Sequence, residues 1–290
     1  MSNPGLAAER VSFAYPGGSP VLSDVTARVA RGGLVGILGP NGSGKTTLLR
    51  LLAGLLKATS GRTTLDGTDL SALPRATVAR RMAMVPQETQ LAFEYTVIEM
   101  ATMGRYPHLG AFEIEGPEDL EIAREALRAT GTDHLATRYF NTLSGGEKQR
   151  VVIAGALAQL EKRGREGFSQ ASPENPSRPR FSDVLLLDEP TASLDLAYQL
   201  EIRSILSRLN RERDLTIVVS THDLNFAAGL CHELVLLHQG RVLAAGPTAT
   251  MLEPSLIRKL YGVDVDITAH PRTGQLTVIP VARAHELPHA

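Results

Sequence analysis

The chain has 290 residues, 43% of them hydrophobic, and a formal charge of −1 from 30 Lys and Arg against 31 Asp and Glu, which allows one large domain or two ordinary ones around a sizeable core. Near-neutrality argues against nucleic acid as the main partner, since a duplex-binding surface carries a basic excess. A single cysteine, Cys231, rules out an internal disulfide and favours a reducing cytosol; residues 1–8 lack the features of a secretion signal, and no stretch approaches the roughly 20 apolar residues that span a bilayer.

In chain order, residues 11–15, the turn cluster 16–20 and the alternating stretch 21–29 predict a β-hairpin or meander. Leu34–Leu38 reads as a buried strand leading into Gly39-Pro40-Asn41-Gly42-Ser43-Gly44-Lys45-Thr46, a full match to G-x-x-x-x-G-K-[ST]. Thr47 opens a helix in which Leu48, Leu49, Leu51, Leu52, Leu55 and Leu56 form a broad apolar face. In that strand–loop–helix setting the glycines let backbone N–H groups curl toward a phosphate chain, and the helix N-terminus adds partial positive charge. Lys45 then reaches the β- and γ-phosphates of ATP or GTP, and the Thr46 hydroxyl ligates Mg²⁺. The alternative, a glycine-rich turn ending in a solvated lysine, is disfavoured by the flanking strand and helix.

Residues 63–67 suggest a short strand and turn, and residues 82–85 a buried strand stopped by Pro86. A helical region follows, over 97–104, over 117–130 with proline in the first turn, and over 144–160. Strands return at 184–187 and 217–219, separated by a helix marked by Ile202, Ile205, Leu206 and Leu209. This alternation predicts an α/β fold, a P-loop NTPase core with a mainly parallel sheet sandwiched by helices, an N-terminal antiparallel β subdomain and an inserted helical subdomain at about 88–165. Residues 161–182, rich in proline and charge, are expected to form a surface loop. The nucleotide-binding domain is expected to cover 1–262, followed by a small extension, 263–290, in which 263–267 and 276–279 form an edge hairpin and 282–290 a tail.

Asp188 and Glu189 stand at the C-terminal end of the 184–187 strand, the sheet edge where ligands sit. There Asp188 can hold Mg²⁺ through its water shell and Glu189 can polarise a water lined up with the γ-phosphate. An acidic N-cap for the next helix is the alternative.

Leu143-Ser144-Gly145-Gly146-Glu147, lying between the phosphate loop and the acidic strand, completes a pattern that resembles the ATP-binding cassette (ABC) ATPases over about residues 6–262. Physically, Ser144 is an N-cap followed by two glycines whose amides can meet an anion, although a plain capping box of Ser144 with Glu147 reads equally well from these residues alone. The resemblance implies that ATP is bound by Tyr15, stacked on adenine, by the loop from Gly39 to Thr47, and by Ser144, Gly145, Gly146 and Asp195. It implies catalytic roles for Glu189 as base, His222 at the γ-phosphate and Gln87 at the Mg²⁺ or attacking water. Simpler roles exist for each: a core-packed tyrosine, a turn glutamine, a helix-start aspartate and a structural histidine. Glu147 departs from the glutamine usual in the family.

The resemblance further implies a head-to-tail homodimer, each nucleotide lying between Lys45 of one chain and Ser144 of the other. Two transmembrane permease subunits would receive the motion, an extracytoplasmic substrate-binding protein would act indirectly, and the chain would sit peripherally on the cytoplasmic face of the plasma (inner) membrane. Residues 96–100, 104–110, 194–199, 261–263 and 270–274 resemble the ATPases of importers for iron–siderophore complexes, haem and cobalamin, with Arg105 and Tyr106 expected at a docking surface. The competing readings are a cassette serving another cargo, or a non-transport cassette in iron–sulfur assembly or DNA repair.

Overall fold

The computed structural model describes residues 5–89, 91–162, 183–192 and 194–283; nearly all of the 161–182 loop, Ser193 and the tail from 284 onward lie outside the described residues. In chain order the strands are β1 (Leu6–Ala14), β2 (Pro20–Val29), β3 (Leu34–Leu38), β4 (Ser60–Leu65), β5 (Thr68–Asp69), β6 (Met82–Val85), β7 (Val184–Asp188), β8 (Thr216–Thr221), β9 (Glu233–His238), β10 (Arg241–Pro247), β11 (Val263–Ala269) and β12 (Leu276–Arg283). The α-helices are α1 (Lys45–Leu52), α2 (Arg75–Ala79), α3 (Val97–Thr102), α4 (Pro117–Ala129), α5 (Gly145–Leu160), α6 (Leu196–Arg213), α7 (Leu224–Leu230), α8 (Thr248–Met251) and α9 (Pro254–Tyr261). They gather into two compact units, Met1–Ser71 with Thr216–Ala290, and Ala72–Leu215.

In the first unit, β3 pairs in parallel with both β8 and β9, and β10 adds antiparallel to β9. Every residue of β3 and β8 is buried, as continuous apolar runs require when both faces of a strand are covered. The predicted hairpin is β1 with β2, part of an antiparallel sheet ordered β2-β1-β4-β5, and α1 packs against β1, β2, β4 and β8. This helix stops at Leu52, because Ala53 caps it and Gly54 turns into the left-handed region at φ +69°. Leu55 and Leu56 therefore fall outside the helix whose face they were expected to extend, and Leu55 is 65% exposed.

The C-terminal hairpin forms as expected but not at a sheet edge: β11 and β12 make a two-stranded sheet of their own, packed on α9 and α7. Pairing of Asp264 with Ala282 and of Val263 with Arg283 draws the first two residues of the expected tail into β12.

In the second unit, β6 and β7 pair in parallel, and α5 packs on β6, α3, α4 and α6. Thr96 and Glu99 form a capping box at the start of α3. This helix ends at Thr102, two residues early, and gives way to a 3-10 turn over Met103–His108 that approaches α5 closely: a Cβ on Gly104 would lie 2.1 Å from the Gly155 carbonyl oxygen. Arg105, fully buried, pairs with buried Asp119 at 3.1 Å and donates to the carbonyls of Ala158 and Glu161, while His108 Nε2 lies 2.7 Å from the Gln159 carbonyl. The turn thus clamps the C-terminal end of α5. Arg105 is a core residue rather than the docking residue expected from its sequence neighbourhood; Tyr106, beside it, is 57% exposed.

Candidate functional site

The phosphate loop lies in the first unit. Gly42 and Gly44 take φ of +79° and +102°, conformations that side chains resist, and a Cβ on Gly44 would also meet Leu22 at 2.6 Å. At Gly39 a Cβ would stand 2.3 Å from the Leu237 carbonyl oxygen, so this position must be bare. The loop leads into α1 with no acidic residue in its first turn, leaving the positive end of the helix uncompensated there. Lys45, 6% exposed, turns its ammonium back into the loop and donates to the carbonyls of Gly39 at 2.9 Å and Pro40 at 3.3 Å. Ser43 Oγ is buried with no hydrogen-bond partner among the described residues.

Two further expected residues lie in the same unit. Parallel pairing sets Leu38 beside Thr221, so Gly39 and His222 leave neighbouring strands at the same end. His222 is exposed in the turn from β8 to α7, where the Asp223 carboxylate caps α7 by accepting from the amides of Asn225 and Phe226. Tyr15, 40% exposed, packs edge-on against Phe13 with ring centroids 4.9 Å apart, and its hydroxyl lies 3.4 Å from Oγ1 of Thr47. The ring therefore stands at the start of α1.

The second unit carries the acidic residues. Val85 pairs with Leu187, so Gln87 and Glu189, each two residues further on, emerge at one end of β6 and β7. Asp188 is 3% exposed at the end of β7. Glu189 adopts φ +44°, a left-handed conformation that costs a non-glycine residue about 1–3 kcal/mol. The N-cap of α6 is Asp195, not the acidic pair, which removes the capping alternative for Asp188 and Glu189. Asp195 is exposed and makes no side-chain cap bond.

Ser144 caps α5 in the same unit. Its Oγ accepts from the Glu147 amide at 3.3 Å, and Glu147 Oε2 accepts from the Ser144 amide at 2.8 Å, so the capping box weighed from the sequence is present. Those bonds hold the Glu147 carboxyl below the usual carboxylate range, the Ser144 backbone N–H contributing most. The amides of Gly145 and Gly146, in the first turn, have no intrahelical acceptor by helix geometry. Gly146 has a second reason to be glycine: a Cβ would meet the Tyr198 ring at 2.3 Å. Tyr198, on α6, also brings its hydroxyl to 3.5 Å from Ser144 Oγ and lies under the Arg150 guanidinium at 5.9 Å. Sequence reasoning missed Tyr198 and Arg150, since nothing local marks a ring that meets a helix start 54 residues away in the chain.

No helix among the described residues is long and apolar enough to cross a membrane, and burial pushes the Cys231 thiol up to about 12, far from a reactive range.

The ABC transporter family profile matches residues 22–162. The chain is 40% identical over 264 residues to the hemin import ATP-binding protein of Bordetella pertussis, covering 91% of this chain and 95% of that protein. It is 40% identical to the cobalamin import ATP-binding protein of Halobacterium salinarum, of whose length it spans only 61%, and 33% identical to the iron(3+)-hydroxamate import ATP-binding protein of Bacillus subtilis, of which it spans 95%. Among solved structures it resembles a transporter described as metal-chelate type, in an inward-facing conformation, at TM-score 0.78 and 27% identity over 96% of this chain and 98% of that one. A dimeric bacterial ABC transporter cassette aligns at TM-score 0.67 and 28% identity over 84% of this chain and 98% of that one.

Proposed function

The chain belongs to the ABC transporter family of ATP-binding proteins, and we propose that it is the ATP-hydrolysing subunit of a membrane importer for a metal chelate, iron–siderophore or haem ahead of cobalamin. The observation that carries the nucleotide chemistry is the phosphate loop itself: two glycines at positive φ, the Lys45 ammonium turned inward, and the buried Ser43 hydroxyl with no partner among the described residues. A polyphosphate chain fits that donor set. The cargo reading is supported by the hemin, hydroxamate and cobalamin proteins that the chain resembles.

In this reading Lys45 and the loop amides neutralise the β- and γ-phosphates, and Tyr15 stacks on adenine. Thr46, Gln87 and Asp188 are oxygen donors suited to Mg²⁺, which when bound offsets phosphate charge. Glu189 accepts the proton of the attacking water, and His222 donates to the γ-phosphate. Ser144, Gly145, Gly146 and Asp195 serve a nucleotide held by a second copy, a homodimer supported by the resemblance to a dimeric cassette. Two permease subunits and an extracytoplasmic binding protein complete the importer, with this chain peripheral on the cytoplasmic face of the inner membrane.

Deleting the gene tests the cargo. Growth should fail when iron comes only as a siderophore or haem and persist on free iron salts. Failure on cobalamin instead would select the second chelate, and failure on an amino acid, sugar or phosphate would overturn the cargo class while leaving the ATPase reading in place.

A further inference from the structure

We infer that the C-terminal hairpin is a brace that positions His222 for hydrolysis, with Asn225 and Tyr261 as its two positioning residues. The inference rests on the reading of His222 as a contact to the γ-phosphate.

His222 lies in a short exposed turn between β8 and a helix of only seven residues, so its placement depends on what holds that turn. The Asp223 cap fixes the start of α7 from within. From outside, the Asn225 side chain reaches β12: Nδ2 donates to the Val278 carbonyl at 3.1 Å, and Oδ1 accepts from the Val278 amide at 2.8 Å. A primary amide satisfies both backbone groups at once, as a neighbouring strand would; a carboxylate only accepts, and an aliphatic side chain does neither. Val278 itself is 2% exposed, so its side of the contact is buried, whereas Asn225 is exposed near the start of α7.

The second contact comes from α9. Tyr261, its last residue, donates from the hydroxyl to the His222 carbonyl at 3.4 Å. The same helix is tied to β11 by Arg258 and Asp264 at 3.3 Å, and β11 pairs with β12. The helix α9 and the hairpin thus form one connected piece that grips the His222 turn at the backbone of His222 and at the side chain of Asn225. Both grips come from residues distant in sequence, 39 and 53 positions away. Neither Asn225 nor Tyr261 is assigned a contact to the nucleotide in the proposed reading, so an effect of either on turnover alone would pass through the turn.

The test uses Asn225→Leu and Tyr261→Phe in the full-length chain, with His222→Ala as reference, and measures kcat, KM for ATP, ATP affinity by calorimetry and melting temperature. Each brace variant should lower kcat about three- to tenfold, the scale set by the net worth of a hydrogen bond in the protein, with KM and affinity held within about twofold. His222→Ala should lose more kcat than either. Wild-type kcat in both brace variants overturns the inference, and so does a loss of ATP affinity that matches the loss of rate. Wild-type kcat in His222→Ala overturns instead the reading of His222. Should Asn225→Leu fail to fold, Tyr261→Phe, which removes one hydroxyl, decides the question alone.

Discussion

Glu147 and Ser144 bind each other's backbone amides, the carboxylate at 2.8 Å and the hydroxyl at 3.3 Å, so the residue that departs from the family's glutamine is occupied in capping α5. The bonds lower the Glu147 pKa. Its contribution is therefore full above the unfolded carboxylate value of about 4.3 and is lost as pH falls through the lower folded value. Glu147→Gln keeps an acceptor oxygen and should preserve the cap while removing this acid-side dependence; Glu147→Ala should cost about 1 kcal/mol. Urea unfolding of both variants between pH 3 and 7 checks the pair of outcomes.

The buried ion pair predicts a sharp contrast between sequence neighbours. Arg105→Ala strips the cation from buried Asp119 and the donor from the last carbonyls of α5, which should cost about 3–5 kcal/mol. Tyr106→Ala, at an exposed position, should stay within about 0.5 kcal/mol of wild type. Equal and small effects in denaturant melts would contradict the clamp.

His108 should make stability fall on mild acidification. Burial lowers its pKa first, and the nearby Arg105 and Arg80 charges add to that, against the bond to the Gln159 carbonyl. The native state therefore binds fewer protons than the unfolded chain, and stability drops as pH falls below about 6.5. His108→Gln retains a donor and should flatten the slope between pH 5 and 7 in urea melts; an unchanged slope would assign it to other groups.

The elements legible in sequence were those with a local signal. β3 and the cores of β7 at 184–187 and of β8 at 217–219 announce themselves as apolar runs, and the loop from Gly39 to Thr46 by its spacing. Ser144 with Glu147 was legible as a box because the two residues are three apart; Thr96 with Glu99 has the same spacing and went unread. Arg105 was misplaced because a turn rich in Gly and Pro reads as surface, whereas its partners Asp119, Ala158 and Glu161 come from α4, α5 and the C-cap of α5. Tyr198 and Asn225 were invisible for the same reason: their partners lie more than fifty positions away.

In the proposed mechanism Lys45 binds the phosphates and Glu189 activates the attacking water. Calorimetry and phosphate release on three purified proteins, wild type, Lys45→Ala and Glu189→Gln, test it most directly. Lys45→Ala should lose both ATP binding and turnover, while Glu189→Gln should bind ATP as wild type does, release almost no phosphate and elute as an ATP-loaded dimer on a sizing column, because an amide cannot accept the water's proton. A Glu189→Gln protein that hydrolyses ATP at the wild-type rate, or a Lys45→Ala protein of normal ATP affinity, would contradict the account.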